Sequence, residues 1–295
     1  KEPFESLFTQ GMVCHHTYKN SDGNWVFPDD VKKDGDGFSQ ISNGKRVIEG
    51  PIESMSKSKK NVIDPETIIK SFGADAARWF VLSDSPPEKD INWSESGIQG
   101  SWKICQKIWT LVNDHKEYLA MNVSDNIELS DNAKNLMFLI NQNLEAVTKS
   151  IEKFQMNVAI AKIYEIVNGL SKFKVNSEND ERALGSALQI LIRIIEPMIP
   201  HLAEELWTLG NNSGSIINAP WPKVDPSFME QNDVIVVIQI NGKRRAEINI
   251  AKDSSEEDVF DKIKNIQNIN DALSEKNIIK SIYVPNKILN IVIKS

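Results

Sequence analysis

The chain has 295 residues, a formal net charge of −7, 40% hydrophobic and 25% charged residues, a balance ordinary for globular protein and long enough for two or three cores. No apolar run reaches the ~18 residues that cross a bilayer, which excludes a membrane-spanning helix. The acidic balance argues against a protein that coats nucleic acid along its whole surface, but it leaves room for local basic strips.

The two cysteines, Cys14 and Cys105, are far apart in sequence and form neither a disulfide nor a metal-ligand pattern; a reducing, cytoplasmic setting and no bound metal are expected. Residues 1–50 read as short strands and turns. A strand is expected from Met12 to Tyr18, turns at Asp22-Gly23 and Asp36-Gly37, and a hairpin at Asn43-Gly44 leading into Val47-Ile48. The apolar periodicity here is too sparse for an independent core, so these strands are expected to complete a sheet built by residues outside the chain. Cys14-His15-His16 stands in such a strand, where neighbours face opposite ways, and packing is preferred to zinc. The aspartates at 22, 29, 30, 34 and 36 lack the spacing of a calcium loop and read as a polar surface insertion.

Next comes Met55-Ser56-Lys57-Ser58-Lys59-Lys60-Asn61, a run of hydroxyls and cations that ends at a strong helix start. Asp64 has the side chain of an N-cap, Pro65 suits the first helical position and Glu66 favours the positive end of the helix dipole. Gly73 is expected to end that helix and Asp75 to cap a second one carrying Trp79, Phe80 and Leu82. From Ser94 to Gly210 the pattern is helical. Ile98, Trp102, Cys105, Ile108, Trp109 and Val112 recur at three- and four-residue steps, and further stretches run Ala133 to Phe154, Val158 to Phe173 and Glu181 to Leu209, the last broken at Pro197 and Pro200. Trp102, Trp109 and Trp207 sit at core spacings and read as packing. Long helices with short polar connections imply an antiparallel bundle. Residues 211–232 read as a linker with ordered spots at Trp221-Pro222. In the tail, Val234 to Ile240 and Arg244 to Ile250 flank Asn241-Gly242, a two-residue hairpin signal; a helix from Glu256 to Leu273 and two strands around Pro285-Asn286 complete a β-β-α-β-β domain.

The lysine-serine run has a chemical reading. When a carboxylate attacks the α-phosphate of ATP, negative charge moves onto the departing pyrophosphate, and a compact ammonium placed there stabilises the transition state more than the ground state. Taken alone, the run fits a solvated basic loop equally well. Its context resembles class I aminoacyl-tRNA synthetases, whose second signature motif is Lys-Met-Ser-Lys-Ser; here Ser54 stands in place of the first Lys. The runs Gly73-Ala74-Asp75-Ala76-Ala77-Arg78, Ser85-Pro86-Pro87-Glu88 and Trp93-Ser94-Glu95-Ser96-Gly97 follow, and Phe4-Glu5-Ser6-Leu7-Phe8 precedes. With Pro197-Met198-Ile199-Pro200-His201, Ala219-Pro220-Trp221-Pro222, Val237-Ile238-Gln239-Ile240-Asn241-Gly242-Lys243 and Tyr283-Val284-Pro285-Asn286-Lys287, the chain is similar to the leucyl-tRNA synthetase family in its bacterial form over essentially its whole length. Valyl and isoleucyl relatives share the loop but are not expected to share the tail.

The resemblance implies a mainly α protein with α+β parts: residues 1–84 as the end of a Rossmann-type catalytic domain, 85–210 as a helical anticodon-binding bundle, 211–232 as linker and 233–295 as a small tRNA-contacting domain. It implies ATP with Mg2+ and L-leucine as substrates, tRNA(Leu) as partner, no membrane, and a monomer. Lys57 matches the motif's second Lys and becomes the pyrophosphate-side catalytic cation, with Met55, Ser56 and Ser58 beside it in ATP binding. Ser54 removes one motif cation, for which Lys59 or Lys60 is the candidate substitute. Lys103 and Lys107, four apart on one helix face, fit phosphate contact and simple solvation alike, and Arg78 shares that ambiguity. Lys243, Arg244 and Arg245 at a hairpin tip suit docking on tRNA. His201 reads as a capping or packing residue. The family's first, His-x-Gly-His type motif has no counterpart among His15, His16, His115 and His201, nor is an editing domain present, so the chain reads as a fragment unable to activate leucine by itself. A free-standing, non-catalytic tRNA-binding module is one alternative, and a fragment of a valyl or isoleucyl class I synthetase, ranked lower because of the tail, is another.

Overall fold

The computed structural model describes residues 3–123, 129–229, 233–264, 266, 269–270 and 278–293. They form two compact units, Lys1–Asp225 and Pro226–Ser295, and each combines helices with a mixed sheet. Among the described residues, no helix is long and apolar enough to cross a membrane.

The first unit opens with β1 (Val13–Asn20), β2 (Val31–Asp34), β3 (Gly37–Gln40) and β4 (Arg46–Ser54), joined later by β5 (Ile91–Asn92) in the order β2-β3-β4-β1-β5. These strands satisfy one another: β1 and β4 pair antiparallel from Cys14↔Ser54 to Asn20↔Val47, and β5 lies parallel to β1. The register slips between His16 and Tyr18. Pro51, which has no N–H for the ladder, is tolerated at that bulge. The turn expected at Asp36-Gly37 sits one residue earlier. Gly37 already pairs with Asp34, so Gly35, at φ 58°, and Asp36 make the reversal. Tyr18, Val26 and Val47 form the small core between these strands.

Two helices follow, α1 (Pro65–Phe72) and α2 (Ala74–Asp84). Asp64 caps α1 as expected, its carboxylate accepting from the Glu66 amide at 3.0 Å, and Gly73 at φ 83° ends it. Asp75 does not cap α2. That helix starts at Ala74 directly after Gly73, and Asp75, already in its first turn, turns its carboxylate to another helix.

The bundle comprises α3 (Glu95–Asn113), α4 (Asp131–Glu152), α5 (Met156–Lys172), α6 (Glu178–Ile195) and α7 (Pro200–Leu209). Serines cap three of them, Ser94, Ser130 and Ser177, each accepting from an amide three residues on. Ile140, Leu144, Ile160, Ile163, Ile166, Leu184, Leu188 and Leu191 are fully buried between them. The prolines at 197 and 200 split rather than kink the last stretch: α6 stops at Ile195, and Pro200 takes the first position of α7. Close approach of the chain to α6 requires Gly185, where a Cβ would stand 2.1 Å from the Tyr118 carbonyl oxygen. Residues 211–225 lie against the helices, with Trp221 Nε1 donating to Thr148 Oγ1 at 2.9 Å and the Asp225 amide to Asn141 Oδ1 at 2.8 Å.

Trp102 and Trp109 overturn the expectation of core packing. They remain 38% and 40% exposed, because the buried side of α3 is drawn by Ile98, Ser101, Ile104, Ile108, Leu111 and Val112. Seven residues apart, the two tryptophans share one flank at the border of that side.

The second unit contains β6 (Asp233–Ile240), β7 (Lys243–Ala251), α8 (Glu256–Ile263), β8 (Ile278–Val284) and β9 (Ile288–Ile293), with sheet order β7-β6-β9-β8. Asn241 and Gly242 both have positive φ, 47° and 75°, as a type I′ hairpin turn requires. β9 inserts parallel to β6, Val237 facing Ile288 and Ile240 facing Ile291. Val236, Ile238, Ile248, Leu289 and Ile291 form the core with Val259 and Ile263 of α8. A capping box between Ser255 and Asp258 starts that helix. It ends at Ile263, residues 269–270 are again helical, and the expected end at Leu273 lies outside the described residues.

Candidate functional site

The lysine-serine loop leaves the end of β4 and returns to α1. Met55 extends the sheet by one bond, its amide donating to the Val13 carbonyl at 3.1 Å. Asn61, wholly buried, then closes the loop. Its Nδ2 points at the carbonyl oxygens of His15, Glu53 and Ser54 at 3.1–3.3 Å, and its Oδ1 accepts the Ser56 amide at 2.9 Å. One side chain thus ties β1, β4 and the first loop residue together. Ser56 Oγ stands 3.0 Å from Ser58 Oγ and accepts from the Lys59 amide at 3.2 Å. A turn follows in which the Lys60 amide donates to the Lys57 carbonyl at 3.3 Å, with Lys60 in the left-handed region at φ 55°.

The three lysines are not equivalent. Lys57 is exposed and, among the described residues, has no ion pair. Lys59 is tied to the Glu53 carboxylate on β4. Lys60 is exposed, with Nζ 5.3 Å from the centroid of the Phe27 ring. Ser54, where a motif cation is missing, has its Oγ 4.0 Å from Cys14 Sγ. The loop therefore presents a bare ammonium beside two serine hydroxyls on a pinned backbone, an arrangement that can bind a phosphate chain.

The other candidate cations lie on separate elements. Lys103 and Lys107 are exposed on α3, and Lys107 Nζ donates to Asn168 Oδ1 on α5 at 2.9 Å. Lys243, Arg244 and Arg245 are exposed at the start of β7. The register shift opposite Gln239 makes Arg245 the extra residue of a bulge, and Arg244 pairs with Glu247 at 2.7 Å. Arg78 is resolved as structural: its guanidinium donates to the carbonyls of Pro197 and Met198 at 2.8 and 2.9 Å. His15 and His16 bond to backbone carbonyls through their Nδ1 atoms. Among the described residues, no cluster of three His, Cys, Asp or Glu is placed for a metal ion. Sequence reasoning missed Asn61 and Glu53. No signal in the sequence singles out Asn61 as buried.

Residues 37–94 match the model of tRNA synthetases class I (I, L, M and V), and residues 133–279 match that of the anticodon-binding domain of tRNA ligase. Over residues 37–94 the chain is thus similar to class I tRNA synthetases. The relatives it matches over nearly its whole length are leucine–tRNA ligases. That of Maricaulis maris is 42% identical over 99% of this chain, and that of Parvibaculum lavamentivorans 40% identical over 99%. The chain spans 34% of the length of each. Among solved structures, the LeuRS of Agrobacterium radiobacter K84, in a ternary complex with tRNA and LeuAMS, has a TM-score of 0.61 and 28% identity, over 82% of this chain and 31% of that one. The resemblance read from the motifs is borne out.

Proposed function

We propose that the chain is part of a leucine–tRNA ligase, with residues 1–84 completing the catalytic domain, 85–210 forming the anticodon-side bundle and 233–295 a tRNA-contacting tail. The single observation that carries this reading is identity of 42% to such a ligase over 99% of the chain. In the whole protein a carboxylate oxygen of L-leucine attacks the α-phosphorus of ATP and pyrophosphate leaves. A terminal ribose hydroxyl of tRNA(Leu) then attacks the adenylate carbonyl and AMP leaves. Lys57 faces the departing pyrophosphate, whose charge grows as the P–O bond breaks. Ser56 and Ser58 donate to phosphate oxygens, and Met55 fixes the loop to the sheet. Mg2+ accompanies ATP as a counter-charge. Lys103, Lys107, Lys243, Arg244 and Arg245 contact tRNA phosphates.

Leucine-dependent ATP–pyrophosphate exchange by the whole protein tests the reading. Lys57→Ala is expected to lower kcat by about 100-fold, the scale of losing one transition-state electrostatic contact, with the leucine KM little changed. Exchange that required another amino acid, or that was indifferent to Lys57, would overturn it.

A further inference from the structure

We infer that Lys60 is the second cation of the polyphosphate site, replacing the positive charge that Ser54 lacks; this rests on the reading of the loop given above. A nucleoside triphosphate or its pyrophosphate product carries several negative charges, and one exposed ammonium leaves most of them unmatched. Three other positions in the loop stand near Lys57. Ser54 is neutral and adjoins Cys14 Sγ. Lys59 is already neutralised by Glu53 on the neighbouring strand, so recruiting it would first break an existing pair. Lys60 is exposed, and its ammonium is in contact with the face of Phe27, a partner that orients a cation without cancelling its charge.

The backbone points the same way. At φ 55°, Lys60 occupies a conformation that glycine adopts freely and a Cβ-bearing residue adopts at a cost. The turn is held from both sides, by the hydrogen bond from the Lys60 amide to the Lys57 carbonyl and by buried Asn61 immediately after. A charged side chain kept at a position where its absence would relieve strain is the kind of outlier that marks a functional constraint. The hydrogen bond from the Lys60 amide to the Lys57 carbonyl places both lysines in one turn, and on this inference their ammoniums serve one phosphate chain.

The test is binding of inorganic tripolyphosphate to the 295-residue chain, by calorimetry at fixed salt, for the parent and for K57A, K59A, K60G and K60R. Glycine removes the charge without straining the turn, so any loss in K60G reports the ammonium rather than a distorted loop. K60G is expected to weaken binding about three- to tenfold, while K60R and K59A stay within about twofold of the parent. Parent-like binding by K60G, with K57A weakened, would overturn the inference and leave the loop reading standing. A loss in K59A equal to that in K60G would overturn the choice between the two lysines. Binding that is absent from the parent, or unchanged in K57A, would remove the loop reading and this inference together.

Discussion

Asp75 Oδ1 lies 2.8 Å from Nδ1 of His201, and Oδ2 of the same carboxylate accepts the Leu202 amide at 2.7 Å. These contacts place Asp75 where the N-cap side chain of α7 would act. Ile199, the residue at that cap position, offers no acceptor, so α7 borrows its cap from α2 across 126 residues of sequence. One turn along α2, Arg78 holds the carbonyls of Pro197 and Met198. Two side chains of α2 thus clasp the break between α6 and α7.

Asp75→Ala is expected to destabilise the first unit by about 1–2 kcal/mol, the worth of a lost N-cap, and Arg78→Ala to act on the same turn. Because both grip residues 197–202, their effects should fall short of additivity when combined. Urea denaturation of the two single variants and the double variant measures this.

Asn61→Ala should loosen the loop without unfolding the protein. It leaves the Ser56 amide and three carbonyls without their partner, a local cost of about 1–3 kcal/mol. Trypsin cleavage after Lys57, Lys59 or Lys60 should accelerate by about tenfold or more, while the global unfolding midpoint shifts little. Equal acceleration at sites throughout the bundle would contradict a local anchor.

Asp180 makes the bundle acid-sensitive. Burial by itself would raise its pKa, but hydrogen bonds from Ser130 Oγ, the Asn176 amide and Ser177 prevail and hold the carboxyl below its ordinary value. Ser130 and Ser177 cap α4 and α6, so one carboxylate organises two helix starts. With the folded pKa depressed, this contribution is complete above the unfolded value near 4 and is lost as the pH falls through the lower folded value. Asp180→Asn should lower stability at pH 7 by about 1–3 kcal/mol and flatten the dependence below about pH 4, as read from denaturant midpoints across a pH series.

Cys105 should resist alkylation. Burial, followed by the negative charge of Asp75, pushes its thiol up to about 12. At pH 8 this leaves roughly three orders of magnitude less thiolate than an ordinary cysteine carries. Iodoacetamide labelling followed by mass spectrometry should show Cys105 unmodified in buffer and modified in 8 M urea, about the concentration that unfolds a small protein.

Much of this architecture could be read from residue order. Asp64-Pro65 and Gly73 bounded α1 correctly because capping is local chemistry, and the Asn241-Gly242 turn was legible because only residues tolerant of positive φ fit there. Asp75 was misassigned for the complementary reason. An aspartate near a helix start looks like a local cap, and nothing in its neighbourhood reveals an acceptor-poor helix 126 residues away. Trp102 and Trp109 were misread because periodicity counts apolar residues without showing which flank of a helix other helices will cover. Lys59 and Lys60 were indistinguishable in sequence. Only the fold brings Glu53 to one and leaves the other on a left-handed turn.

The parallel partnership of β6 and β9 has a bearing on synthesis. Since β9 lies between β6 and β8, the hairpin of β6 and β7 that leaves the ribosome first cannot acquire its inner neighbour until residues 288–293 have emerged. Until then the aliphatic edge of β6 is held open by a strand not yet made, and non-local pairing of this kind closes slowly. The sheet of the second unit should accordingly close only after residues 288–293 have been translated, rather than progressively behind the ribosome.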